Sequence, residues 1–203
     1  MYDTLFNHLE FKSGEKLKDN ERDVIMAAFV RKRMRRRQYF LQKGDVCRYT
    51  GFIVKGSARM FSVDEKGHEH IINFGLESWW LSDQESFIYV TPSRYYIEML
   101  EDSELLVISV TNAYELRNKS RCFDLTVKAL DKFATIAMQK RIYAVIGMTA
   151  EERYSELSRT YPQFLNRFPQ SMIASYLGLS PETLSRIRKN ATRPRILKGS
   201  SSG

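Results

Sequence analysis

Between Leu177 and Glu182 the sequence reads Leu-Gly-Leu-Ser-Pro-Glu, and no other stretch so narrows what the chain can fold into. Gly178 is the residue type that ends a helix in the left-handed conformation. Ser180 is a good N-cap, and Pro181 suits the first position of a helix, where its missing N–H costs nothing. One helix must therefore stop and another start within a few residues. The first runs from about Gln170 to Leu177, with Ile173, Ala174 and Leu177 in an apolar stripe. In the second, Leu184 and Ile187 turn inward, and Leu179 packs back from the turn. Glu182, Ser185, Arg186 and Lys189 fall at i, i+3, i+4 and i+7, so they share the opposite, polar face. Two short helices joined at a glycine, the second with an outward polar face, is the helix-turn-helix pattern. The residues around and after that face are basic: Arg186, Arg188, Lys189, Arg193, Arg195 and Lys198. Double-stranded DNA is the partner this chemistry fits, in keeping with the net charge of +8.

The preceding residues are organised differently. Residues 1 to about 30 read as helical, with a cap-like start at Asp19-Asn20 and apolar helix formers up to Val30. The basic run Arg31–Arg37 has the composition of a nucleic-acid patch, but its place between that helix and the strand-like Tyr39-Phe-Leu41 favours a solvated strand face. From Tyr39 to Ser109, β-branched and aromatic segments alternate with turn signals. The segments are 51–54, 58–63, 70–74, 95–100 and 104–109, and this spacing predicts an antiparallel barrel or double-sheet roll. A short helix over Thr111–Leu116 precedes a long one from about Cys122 to Ile146. In the long helix Phe123, Val127, Leu130, Ala134 and Ala137 form a 4-3-4-3 seam, while Leu125, Phe133, Ile136, Ile142 and Tyr143 lie off it. A helix apolar on two sides must bury both, so the seam predicts a second copy of the chain. Thr149-Ala-Glu-Glu152 is a capping box that opens a helix through Thr160.

Two cysteines, Cys47 and Cys122, are too few for a disulfide framework or a four-cysteine cluster and fit a reducing, cytoplasmic setting. No apolar run approaches a membrane span of about 20 residues, so no membrane partner is expected. The fold class is thus α+β: an antiparallel β-roll over 1–121, a dimerisation helix over 122–147, a helix-turn-helix domain over 148–198 and a flexible tail over 199–203.

This order of parts resembles the Crp/Fnr family, the bacterial regulators typified by the cyclic-AMP receptor protein. The resemblance covers nearly all of the chain before the tail. It rests on Gly44-Asp45, Gly56, Gly67 and Gly75 in the roll and, more specifically, on Gly178-x-Ser-x-Glu-Thr-x-x-Arg186. It implies a homodimer joined along the long helix, a near-palindromic DNA site, RNA polymerase as a partner and a small-molecule effector in the roll. Glu182 and Arg186 match the family's base-reading acid and arginine, and Ser180 and Thr183 its phosphate-contacting positions. Pro181 stands where the family often has a further arginine. Gln170, Ser185, Arg188, Lys189 and Arg193 complete the candidate DNA contacts.

The family's cyclic-nucleotide pocket has a Gly-Glu pair for the ribose and an Arg-Ser/Thr pair for the phosphate. Here Ser82-Asp83 stands at the first and Ser93 at the phosphate arginine, with Arg94 one residue late. A one-residue shift on an extended strand turns a side chain to the other face. Without a guanidinium a buried phosphate would go uncompensated, unless a loop shift brings Arg94 round. Bulky Trp79 and Trp80 crowd the same region. The expected effector is therefore not cyclic AMP, and neither a cofactor nor a metal is expected. The rival class is a cupin-like metal-dependent enzyme, with His68 and His70 on one strand face as ligands. Glu77 lies late for the third ligand and His8 is the only other histidine, so no catalytic residue is assigned.

Overall fold

The computed structural model describes residues 1–191. These fall into two compact units, Met1–Met138 and a second from Gln139 onward. The first begins with helices α1 (Tyr2–Ser13) and α2 (Asp19–Ala28). Eight strands follow: β1 (Val30–Met34), β2 (Tyr39–Leu41), β3 (Tyr49–Lys55), β4 (Ala58–Val63), β5 (Glu69–Gly75), β6 (Trp80–Leu81), β7 (Tyr96–Met99) and β8 (Ser103–Ser109). The short α3 (Gln84–Tyr89) separates β6 from β7. The strands pair antiparallel in two four-stranded sheets, ordered β1-β8-β3-β6 and β2-β7-β4-β5. The β-roll expected from the strand spacing is thus the observed architecture.

At its inner strands β3 and β8 the first sheet is buried on both faces, which explains the unbroken apolar run of β8. Successive residues of paired strands go to different cores. Phe52 and its partner Leu106 join Leu5, Leu9, Ile25 and Leu116 beneath the helices. Ile53 and its partner Leu105 turn the other way, to Ala58, Ile97 and Met99 inside the roll. On the helix side, the Trp80 indole N–H donates to His8 Nε2 at 3.1 Å. Burial, helped by Lys12, pulls the His8 pKa down to about 4, which keeps the ring neutral and able to accept that bond at neutral pH.

The basic run is a strand face in solvent: Arg31, Lys32 and Arg33 on β1 are exposed, and only Met34 is buried. At the start of α2, Lys18 rather than Asp19 occupies the cap position, and Glu21 accepts its backbone N–H at 3.2 Å. The same buried carboxylate accepts from the Ser120 hydroxyl at 2.7 Å and the Cys122 N–H at 3.4 Å. Glu21 thereby ties α2 to the junction of α4 (Val110–Lys119) and α5 (Arg121–Gly147). Cys47 and Cys122 are both free and buried.

The second unit contains α6 (Ala150–Thr160), α7 (Pro162–Arg167), α8 (Gln170–Leu177) and α9 (Pro181–Ala191). Its core is formed by Leu157, Phe164, Phe168, Ile173, Leu184 and Ile187. The division between the units falls within α5. No helix among the described residues is long and apolar enough to cross a membrane.

One turn of the roll tests this packing. Gly56 has a φ of 105°, and a Cβ there would lie 2.9 Å from Ser103 Cα. Gly56→Ala therefore meets both a disfavoured backbone conformation and a backbone collision, and should cost about 2–4 kcal/mol in urea unfolding. An unchanged midpoint would mean that the β3–β4 turn is not packed against Ser103.

Candidate nucleic-acid interface

Helix α8 ends as its sequence demands. Gly178 adopts φ 67°, its N–H bonds to Ser175 O at 3.1 Å, and the Leu179 N–H reaches back to Ala174 O at 2.9 Å. These are the paired bonds of a Schellman turn, and they use two of the carbonyls that a helix end leaves over. Two arginines use the next ones. Arg153 of α6 donates from Nη1 to Leu177 O at 2.7 Å, and Arg141 of α5 donates from Nη2 to Tyr176 O at 3.4 Å. The Arg141 guanidinium also lies 4.5 Å from the Tyr176 ring centroid. Both cations sit at the negative end of the α8 dipole. Neither was singled out from the sequence, where nothing marks an arginine 24 or 35 residues away as a helix cap.

Helix α9 starts on Ser180, whose hydroxyl accepts the Thr183 N–H at 3.2 Å. Leu184 and Ile187 are buried, 0% and 3% exposed, as are Ile173, Ala174 and Leu177 of α8, which packs against it. Glu182, Arg186 and Lys189 are exposed, as are Ser180 and Gln170, while Thr183, Ser185 and Arg188 are half-buried. Arg186 makes no hydrogen bond or ion pair among the described residues. The Glu182 carboxyl is held below the usual range by bonds from its own backbone N–H and the Ser180 hydroxyl, so it is ionised at neutral pH. A free fork-shaped donor and a charged acceptor thus stand one turn apart on an outward face. Arg193, with Arg195 and Lys198, lies outside the described residues.

The capping box at the start of α6 is formed in both directions: Thr149 N–H donates to Glu152 Oε2 at 2.8 Å, and Glu152 N–H to Thr149 Oγ1 at 3.2 Å. Helix α7 carries one local signal in the sequence, Pro162 at its first position.

In the roll, the two positions expected to bracket an effector meet each other. The Ser93 hydroxyl donates to Asp83 Oδ2 at 2.7 Å, with the two residues 3% and 6% exposed. Asp83 is also the N-cap of α3, and Ser93 is fixed by backbone bonds with Gly44 and Asp45. Ser82, next to that cap, is half-buried, as is Trp79. Arg94 does not come round: its side chain is 78% exposed and lies 3.5 Å from Glu85. Trp80 is a correction to the expected pocket. It packs on Phe52 and Phe29 in the helix-side core, on the face of the sheet away from the roll interior. That interior is lined by Met60, Phe87, Ile97 and Met99.

The proposed seam of α5 also needs correcting. Phe123 is 2% exposed and packs edge-on against Phe29, and Val127 packs on the same core, so the start of the seam is used inside the chain. Leu130 is half-buried, and Ala134 and Ala137 are exposed. Every residue from 131 to 140 is exposed, with Phe133 at 58% and Met138 at 67%.

The rival metal ligands are otherwise engaged. His68 Nδ1 and His70 Nε2 lie 3.2 and 3.1 Å from Asp64 Oδ2 on an exposed hairpin. Glu77 accepts the Gly56 N–H at 2.9 Å, and Glu69 pairs with Arg59. No group of three or more ligating side chains suited to a metal occurs among the described residues.

Residues 31–120 match the family of cyclic nucleotide-binding domains. Among solved structures, the chain is similar to FixK2 from Bradyrhizobium japonicum at 16% identity and TM-score 0.63, over 80% of this chain and 83% of that one. It is similar to a variant of CooA from Carboxydothermus hydrogenoformans at 15% identity and TM-score 0.66, over 90% and 82%. It is also similar to the catabolite activator protein of Thermus thermophilus at 17% identity and TM-score 0.56, over 90% and 85%. No curated protein matches the sequence. Residues 31–120 thus form a cyclic nucleotide-binding domain, and the chain shares with these structures a fold in which such a roll is followed by a long helix and a helical C-terminal unit.

The cap of α9 gives a local test. Ser180→Ala removes the acceptor of the Thr183 N–H, worth about 1 kcal/mol, and should speed exchange of that amide about fivefold. Unchanged exchange would show that Ser180 is not the cap in solution.

Proposed function

We propose that the protein is a sequence-specific DNA-binding transcriptional regulator of the Crp/Fnr type, acting as a homodimer on a palindromic site. The observation that carries this reading is α9. Its apolar face is anchored on α8, and it presents outward Glu182 and an Arg186 that is unpaired among the described residues. Arg186 can bond a guanine bidentately, and ionised Glu182 can accept from a cytosine amino group. Lys189 and Arg188 suit phosphates, which position a protein without reading sequence. RNA polymerase is the machinery such a regulator acts on.

Arg186→Ala should cost about 1–3 kcal/mol per half-site on the cognate sequence and relax preference at one base position. Lys189→Ala should weaken binding to all sequences alike and flatten its salt dependence. Salt titrations of each variant on cognate and scrambled duplexes read both effects. Equal losses on both duplexes for Arg186→Ala would make it a phosphate clamp and sink the base-reading role.

Homodimer formation rests on the apolar stretch of α5, where Phe133, Ile136 and Met138 are exposed among the described residues. The seam then runs from Leu130 through Ala134 and Ala137, whose small side chains allow close approach. Leu130→Asp would place a charge in that seam and should give monomers with weak DNA binding. Wild-type protein that sediments as a monomer at micromolar concentration would overturn the dimer.

The β-roll is assigned as a sensor whose effector is not cyclic AMP. A bound cyclic phosphate would meet the Asp83 carboxylate and a serine hydroxyl in place of a guanidinium. Calorimetry with cyclic AMP and cyclic GMP should give no saturable heat. A dissociation constant near or below ~10 µM, roughly −7 kcal/mol, would contradict this assignment.

A further inference from the structure

The charge of the chain is not spread evenly. From Val24 to Gly44 there are seven lysines and arginines and no acid, which accounts for most of the net +8. Six of the seven fall within Arg31–Arg37, on the edge strand β1 and the turn after it. All six are exposed. Arg33 lies 3.7 Å from Glu104, Arg31 sits over the Tyr2 ring and Lys32 over the Phe40 ring. Arg35, Arg36 and Arg37 form no side-chain ion pair among the described residues, and Asp102 accepts the Arg36 backbone N–H at 2.8 Å. Arg37 keeps an arginine at φ 66°, where glycine would be unstrained.

We propose that this edge is a second nucleic-acid surface, in the first unit, which grips the phosphate backbone without reading sequence and independently of α9. Five of the six cations are arginines, whose planar fork bonds phosphate bidentately. Along the strand, Arg31 and Arg33 stand on one face about 6.6 Å apart, a linear array that suits a linear polyanion. A protein partner fits less well. Protein interfaces centre on apolar anchors, and the one apolar residue between Arg31 and Arg37, Met34, is 3% exposed and committed to the roll interior.

The test uses the full chain and a random-sequence duplex, with binding followed by anisotropy from about 50 to about 200 mM salt. Arg35→Gln/Arg36→Gln/Arg37→Gly is measured in the wild-type background and together with Arg186→Ala/Lys189→Ala. Arg31→Gln/Arg33→Gln serves as a second variant should the turn substitutions disturb folding. In both backgrounds the salt slope should fall by about 2–3, at roughly 0.9 for each phosphate no longer neutralised, with affinity at low salt down about tenfold or more. An unchanged slope in both backgrounds overturns the proposal. So does loss of binding to vesicles containing phosphatidylserine with duplex binding intact, which would mark a lipid surface. If the α9 substitutions leave all duplex binding intact and the edge variants abolish it, the second surface stands and the DNA-reading role of α9 falls.

Discussion

Presentation of α9 depends on one backbone conformation, the left-handed turn at Gly178. With φ at 67°, the chain leaves α8 in a tight turn and re-enters a helix two residues later on the Ser180 cap. Every later feature of the second unit follows from that economy. A longer connection would free α9 to roll about its axis, whereas here Leu184 and Ile187 are held against α8 and the outward face has no choice of residues. Arg153 and Arg141 reinforce the same point from α6 and α5, by occupying carbonyls at the end of α8. The Arg153 Nε is buried without a partner among the described residues, a cost that the short bond to Leu177 O helps to offset.

The first unit solves a different problem, that of filling a roll. Its first sheet serves two cores, and the alternation of Phe52 with Ile53 and of Leu106 with Leu105 is what separates them. The hydrogen bond between Ser93 and Asp83 closes the region where the family resemblance places a cyclic nucleotide, with a neutral donor in place of a cation. Ser93 belongs to none of the paired strands and to neither apolar core, so the fold does not by itself fix the chemistry at that position. Fold and effector chemistry are therefore separate questions in this chain.

What was legible in the sequence was local. The ends of α8, the Ser180 cap and the Thr149–Glu152 box are set by residues within a few positions of one another, and each is found where its chemistry places it. Strands were legible because short β-branched and aromatic segments are punctuated by turn residues. What failed was any question of which neighbour a face meets. The heptad pattern at Phe123 records that the residue is buried, not whether its own chain or another buries it, and its own chain does. Trp80 lies near Asp83 in sequence, yet its side chain turns to the opposite face of the sheet, toward His8. The short helices α3 and α7 are too brief to show periodicity, and the arginines on the α8 carbonyls act across distances that no local pattern encodes.

The central claim is that α9 reads DNA sequence as one of a symmetric pair. Selection of bound duplexes from a random pool by the full-length protein tests it without any target being chosen beforehand. Enrichment of a two-fold symmetric motif is expected, with half-site centres about one helical turn apart, roughly 10–11 bp. Recovery of bound duplexes with no enriched sequence would contradict it, and so would a single motif without its inverted copy.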